Sequence, residues 1–123
     1  MRTVTTVSQQ EYEALKRQVF SDEEIALTAM RMHPLMRRPD GGLIARPTLY
    51  VWATRGVMGV KLKSWFRGPG QGRNMYTTEL ECFDFLERAV KRMAGAVSPN
   101  SFIPALYRRA CRQIEEAKAG AVA

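Results

Sequence analysis

Nine basic side chains lie between Arg31 and Thr78: Arg31, Arg37, Arg38, Arg46, Arg55, Lys61, Lys63, Arg67 and Arg73. Asp40 is the only carboxylate among them. That segment holds a surplus of eight positive charges, whereas the whole 123-residue chain nets +7, so the remainder is close to neutral. Guanidinium and ammonium groups gathered in one segment attract polyanions, and nucleic-acid phosphates are the partner they neutralise most readily. Other reactive groups are isolated. His33 has no partner at catalytic or metal-ligand spacing. Cys82 and Cys111 sit inside amphipathic patterns without a nearby Cys or His, and they read as reduced thiols half in a core. There is no phosphate-binding Gly-rich loop ending in Lys-Ser or Lys-Thr, no H-E-x-x-H and no G-x-S-x-G. The acids cluster at helix starts, where capping accounts for them. The expectation is a protein that is not an enzyme, with no cofactor and no metal.

The elements that must position these cations follow from periodicity and punctuation. Tyr12, Leu15 and Val19 recur at helical spacing and predict a helix over Thr5–Phe20. "SDEE" places Ser21 as an N-cap with Glu24 three residues on, a capping box. Ile25, Ala29, Met32 and Met36 continue from it as a 3.6-residue stripe, with Pro34 ending or kinking the helix. "MRRPDGGL" is turn chemistry. "ARPTLYVWATRG" then predicts a short helix, with Pro47 in its first turn and Gly56 at its stop. With Leu49 inward, Trp52 and Ala53 share its side. Pro47, Val51 and Thr54 face the other way, and Thr48, Tyr50 and Arg55 lie on the flanks.

After Gly56 the period changes to two. Val60, Leu62 and Ser64 alternate with Lys61, Lys63 and Trp65, which predicts a strand. "GPGQGRN" is a glycine-rich tip and "MYTT" a returning strand. Adjacent Trp65 and Phe66 must point to opposite faces, one toward the core and one outward. "TELE" sets Thr78 as the cap of the next helix with Glu81 completing a second capping box. Phe83, Leu86, Val90 and Met93 form its inward stripe. "GAVSPNS" breaks it, and a last helix follows over Phe102–Ala119 with Ile103, Leu106, Ala110, Ile114 and Ala117 on one face.

Helix, turn, short helix, two-stranded hairpin, helix is the order of a winged helix-turn-helix. The expected class is therefore α+β, mostly helical, with extra N- and C-terminal helices. The expected division is 1–20 as an N-terminal extension, 21–95 as the winged helix and 96–123 as an accessory helix. The joint "TLYVWATRGVMGVKL" then has a mechanical purpose. A reading helix must enter a major groove about 12 Å wide and stop abruptly, so that the wing can turn back along the phosphates. Gly56 and Gly59 permit that turn.

"RPTLYVWATRGVMGVKLKSW", followed by a Gly-rich tip and "YT", resembles the excisionase-like, MerR-like winged-helix family. It is most similar to a small group with the pattern T-L-Y-R-W-A-x-x-G-V-R-G-V-x-L. The resemblance spans about Ile25 to Ala89. Thr48, Leu49, Tyr50, Trp52, Gly56, Val57, Gly59, Val60, Leu62, Tyr76 and Thr77 match. Val51 and Met58 stand where the pattern has Arg, and the tip is longer than a plain Gly-Gly-x. The resemblance implies double-stranded DNA binding, as a recombination directionality factor working with a recombinase or as a transcription regulator. A protein-interaction module on the same scaffold is the third reading.

Arg46, Thr48, Tyr50, Val51, Thr54, Arg55, Lys61, Lys63, Arg67 and Arg73 are the expected DNA-binding residues, the last two contacting backbone from the wing. The apolar face of the last helix needs a cover, either the N-terminal helix or a second copy in a homodimer. No apolar run is long enough for a membrane span. The N-terminal sequence has no apolar signal region. The expected location is the cytoplasm.

Overall fold

A computed structural model of the chain describes residues 9–38, 40–66, 75–93 and 102–122. Helix α1 runs over Gln9–Val19, and strand β1 (Ile25–Ala26) leads into a single turn of helix, α2 (Leu27–Met30). A 3-10 turn at Pro34–Met36 precedes α3 (Arg46–Thr54). Strands β2 (Trp65–Phe66) and β3 (Met75–Thr77) follow, then the long helices α4 (Glu79–Arg92) and α5 (Phe102–Val122). The three strands form an antiparallel sheet with β3 in the middle, pairing Ile25 with Thr77 and Trp65 with Tyr76. The architecture is α+β and mostly helical. Thr5–Ser8 of the expected first helix, the hairpin tip with Arg67 and Arg73, and the break at 94–101 lie outside the described residues.

The expected helix from Ser21 through Met36 is not continuous. Ser21 has been recruited elsewhere: its N–H donates to Glu79 Oε1 at 3.0 Å and its carbonyl accepts from Leu80 N–H at 3.1 Å. Its hydroxyl accepts from Glu23 N–H, so it closes a local turn and caps no helix. Tied to the start of α4, the chain is laid beside β3, and β-branched Ile25 becomes the first residue of an added outer strand. The helical stretch that remains is too short to keep the stripe. Ala29 and Met32 are exposed, whereas Leu27, Met30 and Met36 are buried. Pro34 begins the 3-10 turn, and His33 Nδ1 accepts from Leu35 N–H to cap it.

The other local signals act as expected. Thr78 Oγ1 accepts from Glu81 N–H at 3.0 Å and caps α4, and Glu79 and Glu81 complement its dipole. Phe83, Leu86 and Met93 of its stripe are buried, with Val90 half-buried. Leu49 and Trp52 are the buried residues of α3. Trp52 lies with its ring centroid 5.0 Å from Phe85 and 5.9 Å from Phe102, so α3 is fastened to α4 and α5 through this ring. The α5 face that required a cover packs on α4 and α1 of the same chain, with Ile103, Leu106, Ala110 and Ile114 all in the buried cluster.

A polar clasp reinforces the α1, α4 and α5 seam. Lys16 is buried, its ammonium 3.7 Å from Glu87 and 3.2 Å from Glu13, and it lies over the rings of Tyr12 and Phe83. Glu87 Oε2 accepts from the Tyr12 hydroxyl at 2.8 Å and from the Tyr107 hydroxyl at 3.4 Å. Burial, then the Glu87 carboxylate, holds the Tyr12 phenol well above its ordinary range.

Two outcomes follow from this packing. Trp52→Ala removes the aromatic anchor of α3, and equilibrium denaturation should show a loss of about 3–5 kcal/mol. Truncation after Ala96 uncovers the rings of Trp52 and Phe83, and circular dichroism should show loss of cooperative melting. A truncated chain that melts as sharply as the whole would place α5 outside the core.

Candidate nucleic-acid interface

The joint after α3 is built from backbone conformation. Gly56 adopts φ +83°, and an added Cβ would lie 2.4 Å from the Val60 carbonyl oxygen. Val57 and Val60 then exchange both backbone hydrogen bonds, at 2.7 and 2.9 Å, around Met58 and Gly59. Both central residues have positive φ, 50° and 86°, which is the mark of a type I′ turn. Met58 is a non-glycine residue held in the left-handed region, its side chain about half exposed.

Beyond that turn the chain runs extended without a ladder. Leu62 N–H donates to the Trp52 carbonyl at 2.8 Å, satisfying an orphan acceptor at the end of α3. Thr77 Oγ1 donates to the Lys63 carbonyl, and Arg88 donates to that of Lys61. Val60 and Leu62 are buried while Lys61 and Lys63 are exposed. The period-two alternation is thus real, but strand pairing starts only at Trp65. Trp65 is half-buried, and Phe66 is the exposed member of the pair at 58%.

The basic segment divides into two groups. Arg31 donates through Nε to the Ile44 carbonyl at 2.7 Å, Arg37 to Gly41 at 3.1 Å, and Arg38 pairs with Asp40 at 3.2 Å. These three hold the loop before α3. Arg109 of α5 supports the same region: its Nη2 donates to the carbonyls of Pro34, Leu35 and Arg37. Burial, then neighbouring Arg112, lowers its pKa. Arg46, Arg55, Lys61 and Lys63 form the second group, exposed and without an ion pair among the described residues.

Eight of the ten expected contact residues lie on α3 and the segment that follows it, and Arg67 and Arg73 lie outside the described residues. Arg46, Tyr50, Val51 and Thr54 are exposed on α3 and Arg55 at its C-cap, with Thr48 half-buried. Thr54 Oγ1 donates to the Tyr50 carbonyl at 2.7 Å, so its proton is spent within the helix. Nine steps of about 1.5 Å set Arg46 and Arg55 about 13.5 Å apart along the axis, at the two ends of the helix. A groove of about 520 Å³ between α1 and α4 has the wrong sign for a polyanion, since Glu13, Asp22, Glu24, Glu81 and Asp84 outnumber Lys16 and Arg17 on its walls.

Sequence reasoning missed the pairing of His33 with Glu79. Nδ1 accepts the Leu35 amide, so the ring proton is assigned to Nε2, which lies 2.9 Å from Glu79 Oε2. The partners are 46 residues apart, and no local spacing announces them. The arrangement joins the 3-10 turn to the N-terminus of α4. Cys82 is wholly buried, and burial pushes its thiol up to about 12, while Cys111 is half-buried and also raised by burial. Among the described residues no cluster of His, Cys, Asp and Glu could hold a metal, and no helix is long and apolar enough to cross a membrane.

Gly56→Ala meets both the Val60 carbonyl and the positive φ, and it should lower stability by at least about 2 kcal/mol. Met58→Asn suits the left-handed position and should raise it by up to about 1 kcal/mol. Denaturant midpoints of the two variants check both signs.

Comparison with protein-family models, with curated proteins and with solved structures returned no match for this chain.

Proposed function

We propose that this protein binds double-stranded DNA as a winged helix, with α3 in the major groove and the β2–β3 hairpin along the backbone. The observation that carries the reading is the disposition of four exposed cations that have no ion pair among the described residues. Arg46 and Arg55 flank the exposed face of α3, and Lys61 and Lys63 project from the segment directly after its stop. Cations on both sides of a protruding helix reach phosphates on both sides of a groove, and such contacts supply most of the affinity and fix register. In this reading the broken stretch of α2 and the 3-10 turn stands in for the first helix of the helix-turn-helix.

The resemblance to excisionase-like and MerR-like proteins supports the same scaffold. Leu49, Trp52, Val57, Val60 and Leu62 of that pattern are buried, and Gly56 and Gly59 adopt positive φ. The positions that depart from it, Val51 and Met58, are exposed at 41% and 49%. The shared positions thus include the framework together with exposed Tyr50, and the two departures fall on the surface. The role as a recombination directionality factor beside a recombinase rests on the resemblance. A transcription regulator uses the same surface, and a neighbouring integrase gene distinguishes the two. The reading assigns binding residues and no catalytic ones.

Anisotropy titration against random duplex DNA tests it. With about four phosphates neutralised, log affinity should fall with log salt at a slope of about −4, and Lys61→Ala combined with Lys63→Ala should bring the slope to about −2. Absence of binding at low salt overturns the proposal and leaves exposed Val51, Met58 and Phe66 to a protein partner.

A further inference from the structure

The outward face of α3 has an unusual centre for a helix that reads bases. At 100° per residue Pro47, Val51 and Thr54 fall within about 60° of one another, and all three are exposed. Arg46 and Arg55 lie on opposite flanks of that strip. Direct readout by hydrogen bonding uses Arg or Lys for guanine, Asn or Gln for adenine, a carboxylate for cytosine, and Ser or Thr for either. Of these only Thr54 stands on the strip. Pro47 and Val51 carry no polar side-chain atom, and the Thr54 hydroxyl proton goes to the Tyr50 carbonyl at 2.7 Å. A strip with no side-chain hydrogen-bond donor, set between two cations, has one apolar feature to meet on the floor of a major groove. That feature is the C5-methyl group of a pyrimidine.

We infer that α3 recognises pyrimidine C5-methyl groups, so that the ligand class is duplex DNA carrying thymine or 5-methylcytosine along the groove that Val51 faces. The inference rests on the duplex-binding reading. The flanking arginines hold the phosphates and set the depth of the helix. Val51, with Pro47 and Thr54 beside it, removes the methyl from water. One buried methyl is worth about fourfold in affinity.

The test uses the full chain and four short duplexes at low salt. Alternating adenine–thymine is compared with adenine–uracil, and guanine–5-methylcytosine with guanine–cytosine. Each pair differs in the methyl and keeps the same Watson–Crick hydrogen bonding. The expected result is tighter binding of each methylated member by about fourfold or more, with the two pairs showing separately whether thymine, 5-methylcytosine or both serve. Val51→Ser should bring the thymine-to-uracil ratio toward one, while its thermal melting confirms that the exposed site has not disturbed the fold. Equal binding of all four duplexes overturns the methyl inference and leaves duplex binding standing. A ratio that persists in Val51→Ser overturns the assignment to this strip. No binding to any duplex overturns this inference and the DNA reading together.

Discussion

A side chain at residue 56 would force the backbone to shift, because its Cβ would lie 2.4 Å from the Val60 carbonyl oxygen. This close approach of backbone to backbone ends α3 and sends the chain back along it. The returning segment delivers Leu62 N–H to the Trp52 carbonyl, seats Val57, Val60 and Leu62 in the core, and leaves Lys61 and Lys63 outside. A helix of nine residues is marginal alone. It persists here because Trp52 is gripped by Phe85 and Phe102 on one side and the reversed chain satisfies its end on the other. The direction in which the surface cations point is therefore a consequence of one glycine and one indole.

Charge in the same segment does two kinds of work. Arg31, Arg37 and Arg38 are consumed in holding the loop before α3, and Arg109 adds three carbonyl contacts from α5. Such hydrogen bonds from a charged donor are among the stronger local ties a surface can make. Counting basic residues in the sequence overstates the solvent-facing charge, because the count does not distinguish guanidiniums that staple a loop from those that project into solvent. The four cations that project are those nearest the exposed face of α3 and the chain that follows it.

Features governed by neighbours in sequence were legible in advance. Thr78 caps α4 through an amide three residues away, and Pro47 and Gly56 bracket α3. The inward phase of Leu49 and Trp52 needed only helical spacing. What could not be read depends on partners far along the chain. Ser21 presents a capping box, yet Glu79, 58 residues on, takes its amide and turns the following residues into a strand. His33 finds its partner in that same Glu79, and Lys16 is buried because Glu87 and two aromatic rings arrive from elsewhere. In each case a strong local signal, or none at all, was overruled by a carboxylate on α4. Within the candidate interface, α3 and the lysines after it were foreseen from spacing, whereas the division of the arginines into loop staples and exposed cations required the fold.

The environment of Trp52 has a spectroscopic consequence. Its indole N–H is buried with no hydrogen-bond acceptor among the described residues, and the rings of Phe85 and Phe102 lie beside it. An excited indole in such surroundings has few mobile dipoles to relax it, so it emits toward the blue. Trp65, the other tryptophan of the chain, is half-buried on the hairpin and has solvent to relax it toward the red. The unaltered polypeptide thus contains two intrinsic fluorophores of different colour. The blue one reports whether α3 is seated against α4 and α5, and the red one reports on the hairpin, without any attached label.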